Sequence, residues 1–561
     1  MLLIEGKRIH TKIPFLVFLT VLFIGLPTSK FLMTVAQLAV LFFWMIDGIP
    51  VEKVIVKKSK PLVGAILFLP LFIFQILINV FHKIVAFFNN KPALIFSSIF
   101  FLHIIGLLWT NHDFAYAFKD LRIKLPLLYF PIVFATATKL DWKVFKIIFG
   151  LYLATILVST FYGFYLMLVP GIVDSIELSP FISHIRFSLN ILLAIGVLFY
   201  FSFTLKMSKL YQFLVLLISV WFTIYLVMME SLTGVSILMA GIIVSGGYYV
   251  FHIKHKGIKV GIISAVFLFL IGSASFILST YNDYITPKES NIKTFEKQTS
   301  RGNRYSHDTI RFGIENGYYV GAYICYSELE NSWNQRSEIK FDQIDKKFQK
   351  VKYTLIRYLN SKGMRKDQDA VMALTNEDVM NIENGLANAE YAKPFSVKKR
   401  LYRVFYGFRS YTLHNNPNRS SMMQRIEYWK TSVAIIGDHP LFGVGTGDMD
   451  YAFNEKYTEM KTPLTKEWRR RSHNQYLAIM VAFGVFGLIW FLAGLIIPPI
   501  LNGSYRQPLF VIFLFIGMFS MLWEDTLESQ AGLTFMILIY CVFCFGIDYK
   551  TFTPYLTDKR N

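Results

Sequence analysis

Apolar runs long enough to cross about 30 Å of hydrocarbon recur along this chain, and that repetition limits its fold more than any other feature. They lie at 13–28, 31–47, 62–81, 93–109, 125–138, 144–168, 187–204, 211–228, 232–251, 259–279, 474–498, 508–523 and 532–548. A bilayer leaves backbone N–H and C=O groups nothing to bond but each other, so runs of this length enter it as helices. The composition agrees: 54% of residues are hydrophobic and only 17% charged, fewer charges than a soluble domain of 561 residues carries. The reading is an all-α polytopic membrane protein. Lys7, Arg8 and Lys12 stand just before the first run, which reads as a start-transfer helix needing no cleavable signal.

The net charge of +20 fits cytoplasmic loops held in place by Lys and Arg better than it fits nucleic acid, which is not expected as a partner. Of the three cysteines, Cys541 and Cys544 sit in the last apolar run and Cys325 stands alone. They build neither a disulfide framework nor a zinc site, and no metal or cofactor is expected.

Loop charge sets the expected topology. The tail with Lys550, Lys559 and Arg560 is placed inside, the acidic loop EDTLESQ (524–530) outside, and the Arg506 loop inside. Alternating back, residues 252–259, Lys206/Lys209, Lys139/Lys143 and 82–91 fall inside. Residues 110–124, 171–186, 229–231 and Arg469–Arg471 fall outside. If 62–81 crossed, VEKVIVKKSK (51–60) and the N-terminus would lie outside. Pro70 and an amphipathic continuation to Phe88 favour an interfacial or re-entrant element instead. The result is about twelve crossings with both termini cytoplasmic. The organisation is then an N-terminal bundle (1–279, about nine crossings), a periplasmic loop domain (280–472), three C-terminal helices (473–549) and a tail (550–561).

The large loop is mildly basic and shows helical spacing rather than strand alternation. Helices are expected over 341–359, 375–385 (Thr375 and Asp378 spaced as a capping box, Gly385 as its stop), 420–436 and 448–460.

No Walker loop, HExxH or Cys/His ligand set occurs. GVGTGD at 443–448 reads first as a tight turn whose glycines supply positive φ. A second reading has its backbone N–H groups, with Gly443, Gly445 and Asp448, helping to hold an anion. Arg122, Lys124, Arg186, Arg425 and Arg469–Arg471 are scattered in sequence, yet the topology brings all of them to the outer membrane boundary. Each alone is equally a snorkelling headgroup contact. Together they suit a pyrophosphate, whose oxygens a guanidinium fork binds at any physiological pH. His473, beside Asn474, is the natural proton acceptor, because an imidazole titrates near neutrality. The plain alternative makes His473 an interfacial helix-cap residue. His184, His307, His414 and His439 are rivals on the same side, and Asp448 and Glu230 are possible carboxylate partners.

RIEYWKTSVAIIGDHPLFGVGTGD, followed after about 25 residues by HNQYLAIMVAFGVFGLIWFLAG, resembles the C-terminal signature of the O-antigen ligase and polymerase family. FKDLRIKLPLLYFP, SHIRFSLNILLAIG and WEDTLESQAGLTF resemble versions of it from Bacteroidetes-like bacteria. The resemblance implies a metal-independent, inverting glycosyltransferase of the bacterial inner membrane. Its donor would be a glycan on undecaprenyl pyrophosphate, and its acceptor a lipid A core sugar or, in a polymerase, another glycan. It implies His473 as catalytic base and Arg186, then Arg122 and Arg425, on the pyrophosphate. The Ser-Arg pair of many members is missing, since Ser231 is followed by Leu232. Arg471 and its neighbours are the candidate substitutes. A lipid-linked-sugar flippase is the rival class, although the charges gather at one face rather than mid-membrane.

Overall fold

The computed structural model describes residues 3–5, 8–53, 61–168, 178–205, 207–252, 255–289, 295–393 and 396–551. The lysines of 54–60, Lys206, the first part of the 171–186 loop and the tail beyond Thr551 lie outside them. The protein is an all-α polytopic membrane protein. Among the described residues, seven helices are long and apolar enough to cross a membrane, and five shorter apolar helices accompany them. The described residues form two compact units: 1–244 with 425–561, and 245–424.

The first unit is a helical bundle. Lys12–Thr28 and Lys30–Ile46 form a hairpin that turns at Ser29, whose hydroxyl accepts from the Leu32 N–H. At the hairpin's open end, Thr11 bonds Asp47, Trp44 bonds Thr136, and Leu140 pairs with Gly546. Asn502 reaches the Cys544 carbonyl near that end. The segment 62–88 forms one helix, Pro61–Phe88, in which Phe68–Phe88 is long and apolar enough to cross. Yet Asn79 donates to the Met45 and Asp47 carbonyls, Lys83 to Trp44, and Asn90 caps the next helix beside Ala135. All these contacts fall at one end of the bundle.

The expected crossing at 125–138 is short. Pro126–Thr136 has 11 residues, about 16 Å of helix. Leu125 keeps helical angles, however, so Phe114–Lys124 runs almost straight into it. Asp120 and Lys124 therefore sit midway along a longer helical run, both buried. The helix Gln475–Asn502 contains a kink at Gly484, with φ 66° and ψ −165°. There the Val444 and Gly445 N–H groups donate to the Val481 and Ala482 carbonyls, and the Val485 N–H to that of Pro440. The loop thus plugs the break in the helix.

The second unit packs short helices around Leu329, Trp333, Val351, Leu355 and Leu359, all fully buried. It also contains short strands that no alternation announced: Ser306–Asp308 pairs with Gly321–Ile324, and Ile314–Glu315 with Tyr318–Tyr319. Strands of two to four residues are too short to show a period, and Gly321–Ile324 is buried at every position. The helix expected over 341–359 begins only at Val351. Its first part folds as turns, with Phe348 in the left-handed region at φ 59° and Asp345 accepting from Lys347, Gln349 and Thr354. Side-chain hydrogen bonds of this kind compete with helix formation. The Thr375/Asp378 capping box forms, and Gly385 stops the chain at φ 75°. Ser421–Asp438 and Met449–Glu459 match their expected spans closely.

Candidate active site

His473 immediately precedes the helix Gln475–Asn502, and its backbone is left-handed at φ 45°. The cap is Asn474, whose side chain accepts from the Tyr476 and Leu477 N–H groups and donates to the Leu522 carbonyl. His473 is thereby released from capping. Its ring, about one-third exposed, lies 5.6 Å from that of Tyr428. Nδ1 is 3.6 Å from an Asp525 oxygen and 3.8 Å from a Glu524 oxygen, and it has no hydrogen-bond partner among the described residues. These separations are ion-pair approaches, longer than hydrogen bonds.

Glu524 is nearly buried and bonds Arg425. Burial alone would raise its pKa, but His473, Arg425 and Arg186 around it hold the carboxyl below its ordinary value. Asp525 has no such bonded cation, and burial raises it, reinforced by Glu528 and Glu524. Arg186 comes from the first turn of His184–Thr204 and packs over Gly532, where a Cβ would stand 3.0 Å from its guanidinium carbon. Its Nη1 is buried without a hydrogen-bond partner among the described residues, so a donor is available for an anionic oxygen.

A second charged group adjoins the first through the same acidic loop. Lys124 Nζ donates to Asp120 at 2.6 Å and to Glu528 at 3.0 Å, and Asp120 lies 3.1 Å from His103 Nδ1. Arg471 binds Asp450 at 2.7 and 3.1 Å, approaches Glu528 at 3.6 Å and stacks 4.4 Å over Tyr116. Gln475 fixes the loop by accepting from the Leu527 N–H and donating to Glu528. Charges this buried persist only when each is paired, as Glu524 is with Arg425 and Glu528 with Lys124.

The structure thus brings His473, Arg425 and Arg186 together and places Arg471 beside them on its own acids. Arg122 is exposed and makes no ion pair with the described residues; its neighbour Lys124 points inward instead. Asp448 accepts from the Asn111 and His112 N–H groups, both at 2.8 Å, and from the His112 ring. Burial would raise its pKa, but these donors hold it below the usual value. Gly443 and Gly445 serve the loop–kink contact: a Cβ on Gly443 would lie 2.4 Å from the 482–483 backbone. With the Val444, Gly445 and Thr446 N–H groups donated to carbonyls, this loop is a structural plug. Among the rivals, both ring nitrogens of His307 are engaged, with the Tyr323 N–H and the Glu296 carbonyl.

Glu524, Asp525 and Glu528 were missed as site residues. Their signal was present: three carboxylates within five positions at an apolar helix end, inside the quoted WEDTLESQAGLTF. The acids had served only to fix the side of the membrane.

His473, Glu524 and Asp525 have ligand atoms within 4.8 Å of one another, as a cation site would. The donor set fits poorly, because Arg425 already occupies Glu524 and Arg186 adds further positive charge nearby.

Residues 378–492 match the O-antigen ligase family model. The match covers Arg425, Gly443, Gly445, Asp448, Arg471, His473 and Asn474, and leaves Arg122, Arg186 and the acidic loop outside it. No curated protein matches the chain. The plugged kink and the helix start that presents His473 thus lie within the segment of this polytopic membrane protein that matches the O-antigen ligase family.

Proposed function

We propose that the protein transfers a glycan from a polyprenyl pyrophosphate, of the undecaprenyl type, to an acceptor hydroxyl on the periplasmic face of the inner membrane, as an O-antigen ligase. The observation that carries this reading is the convergence of His473, with its flanking carboxylates, and Arg186, with its unpartnered buried nitrogen, at one end of the bundle.

In this mechanism Nδ1–H of His473 faces Glu524 and Asp525, which orient the ring and stabilise its protonated form. Nε2 then takes the proton of the acceptor hydroxyl. The acceptor oxygen bonds to the anomeric carbon while the bond from that carbon to the pyrophosphate oxygen breaks. The electron pair leaves with the pyrophosphate, and attack from the opposite side inverts the centre. Arg186, with Arg425 beside it, receives the charge developing on the leaving group.

The test is transfer by purified protein from a lipid-linked glycan to lipid A core. His473→Ala is expected to lower the rate by about 10²–10⁴ and Arg186→Ala to weaken donor use, both in normally inserted protein. Parent-like rates in both variants would sink the reading. A product lengthened on the carrier lipid, with core unmodified, would make the enzyme a polymerase. Lipid moved between leaflets with no new glycosidic bond would make it a flippase.

A further inference from the structure

The unit 245–424 contains a cavity of about 130 Å³ that the proposed transfer chemistry does not use. By the space one water needs, this holds on the order of ten waters, the size of one sugar ring. Its walls carry the aromatic side chains of Phe312, Tyr353 and Tyr406, alongside Arg311, Arg357 and Arg409.

The three arginines are not equivalent. Arg357 is neutralised: its guanidinium grips Glu315 at 3.0 and 3.1 Å and stacks 3.9 Å over Tyr406. Arg409 lies against Gly313, where a Cβ would stand 2.4 Å from its Nη2, and donates Nη1 to the Ile314 carbonyl at 2.7 Å. Gly313, which has no Cβ, leaves room for that approach and takes the positive φ of 66° without strain. Arg311 stands beside Phe312, 5.5 Å from its ring centroid. The Arg311 backbone N–H donates to Asp308, but the guanidinium of neither Arg311 nor Arg409 has a carboxylate partner among the described residues. The cavity therefore carries two uncompensated guanidinium groups next to exposed ring faces.

We infer that this cavity binds one acidic sugar residue of a glycan, with its carboxylate or phosphate on Arg311 and Arg409 and its ring against the aromatic wall. Aromatic faces with a few convergent charged groups are how small-ligand sites are generally built, and guanidinium forks select planar carboxylates and phosphates. The sugar class rests on the proposed glycan transfer; the anionic character rests on the cavity alone.

The full-length protein in detergent is titrated with methyl glucuronide, methyl glucoside, glucose 6-phosphate and inorganic phosphate, followed by saturation-transfer NMR. Methyl glucuronide is expected to bind about ten-fold or more tighter than methyl glucoside. The Arg311→Ala/Arg409→Ala variant is expected to lose that preference, and Arg311→Gln alone, a change at an exposed side chain, to weaken it. Glucose 6-phosphate binding as well as the glucuronide extends the site to phosphorylated sugars. Equal binding of glucuronide and glucoside, no binding of either, parent-like binding by the variants, or inorganic phosphate matching the glucuronide would each overturn the inference. His473→Ala is expected to bind methyl glucuronide like the parent. Binding and transfer are read separately, so the failure of one proposal is distinguishable from failure of the other.

Discussion

The Lys124 ammonium lies 3.0 Å from the Glu528 carboxylate, a contact that closes 404 positions of sequence. Asp120 completes the arrangement from one turn back on the same helix. Lys124 is 1% exposed, so its charge is sustained by these partners rather than by water. Lys124→Met would leave two carboxylates facing each other without their cation. The expected cost is about 3–5 kcal/mol, seen as a lowered thermal midpoint in detergent. A midpoint equal to the parent's would show that the network does not hold the acidic loop.

Glu524 lies within ion-pair distance of both His473 and Arg425. Glu524→Gln keeps the shape and removes the charge that orients the imidazole. Transfer is expected to fall by about two orders of magnitude, and the thermal midpoint to fall as well, because Arg425 loses its buried partner. Asp525→Asn is expected to fall less, because burial already raises that carboxyl toward its neutral form. Steady-state rates with lipid-linked donor compare the two.

At Gly484 an added Cβ would lie 2.1 Å from the Leu441 backbone, at a φ of 66°. Gly484→Ala is therefore expected to cost about 3 kcal/mol or more by driving the loop out of the kink. Gly150→Ala is the control: the residue is helical with nothing within 4 Å of the new atom, and it is expected to be neutral or slightly stabilising. Unfolding midpoints of the two variants decide the point.

Lys366 is buried, its ammonium nitrogen bonded to the Tyr319 carbonyl and the Asn360 side chain, with no carboxylate in contact. Burial, helped by Arg365, lowers its pKa from 10.5 to about 7. Between these values the unfolded chain binds a proton that the folded protein does not. This residue's contribution to stability therefore rises as pH rises from about 7 toward 10, by up to ~1.4 kcal/mol per pH unit. Lys366→Met should flatten that slope when denaturation is followed across the pH range. An unchanged slope would place the proton on Lys366 in the folded state.

Much of what depended on local pattern was legible in the sequence, although the spacing over 341–359 overran a helix that begins at Val351. The bilayer satisfies no backbone groups, so every long apolar run had to be helical, and the capping box at Thr375 and the stop at Gly385 followed from side-chain chemistry within a few residues. The grouping of Arg186 and Arg425 with His473 came from the side of the membrane that loop charges assigned to them. What sequence could not fix was direction around a helix and company across the bundle. Arg122 and Lys124 are two positions apart, and only the packing exposes one and buries the other among acids. GVGTGD reads as a turn or, second, as an anion cradle until the kink at Gly484 claims the Val444 and Gly445 N–H groups. EDTLESQ reads as an acidic surface loop until cations from distant segments converge on it. Buried charge is tolerable only where an opposite charge arrives, and that arrival is a property of tertiary structure.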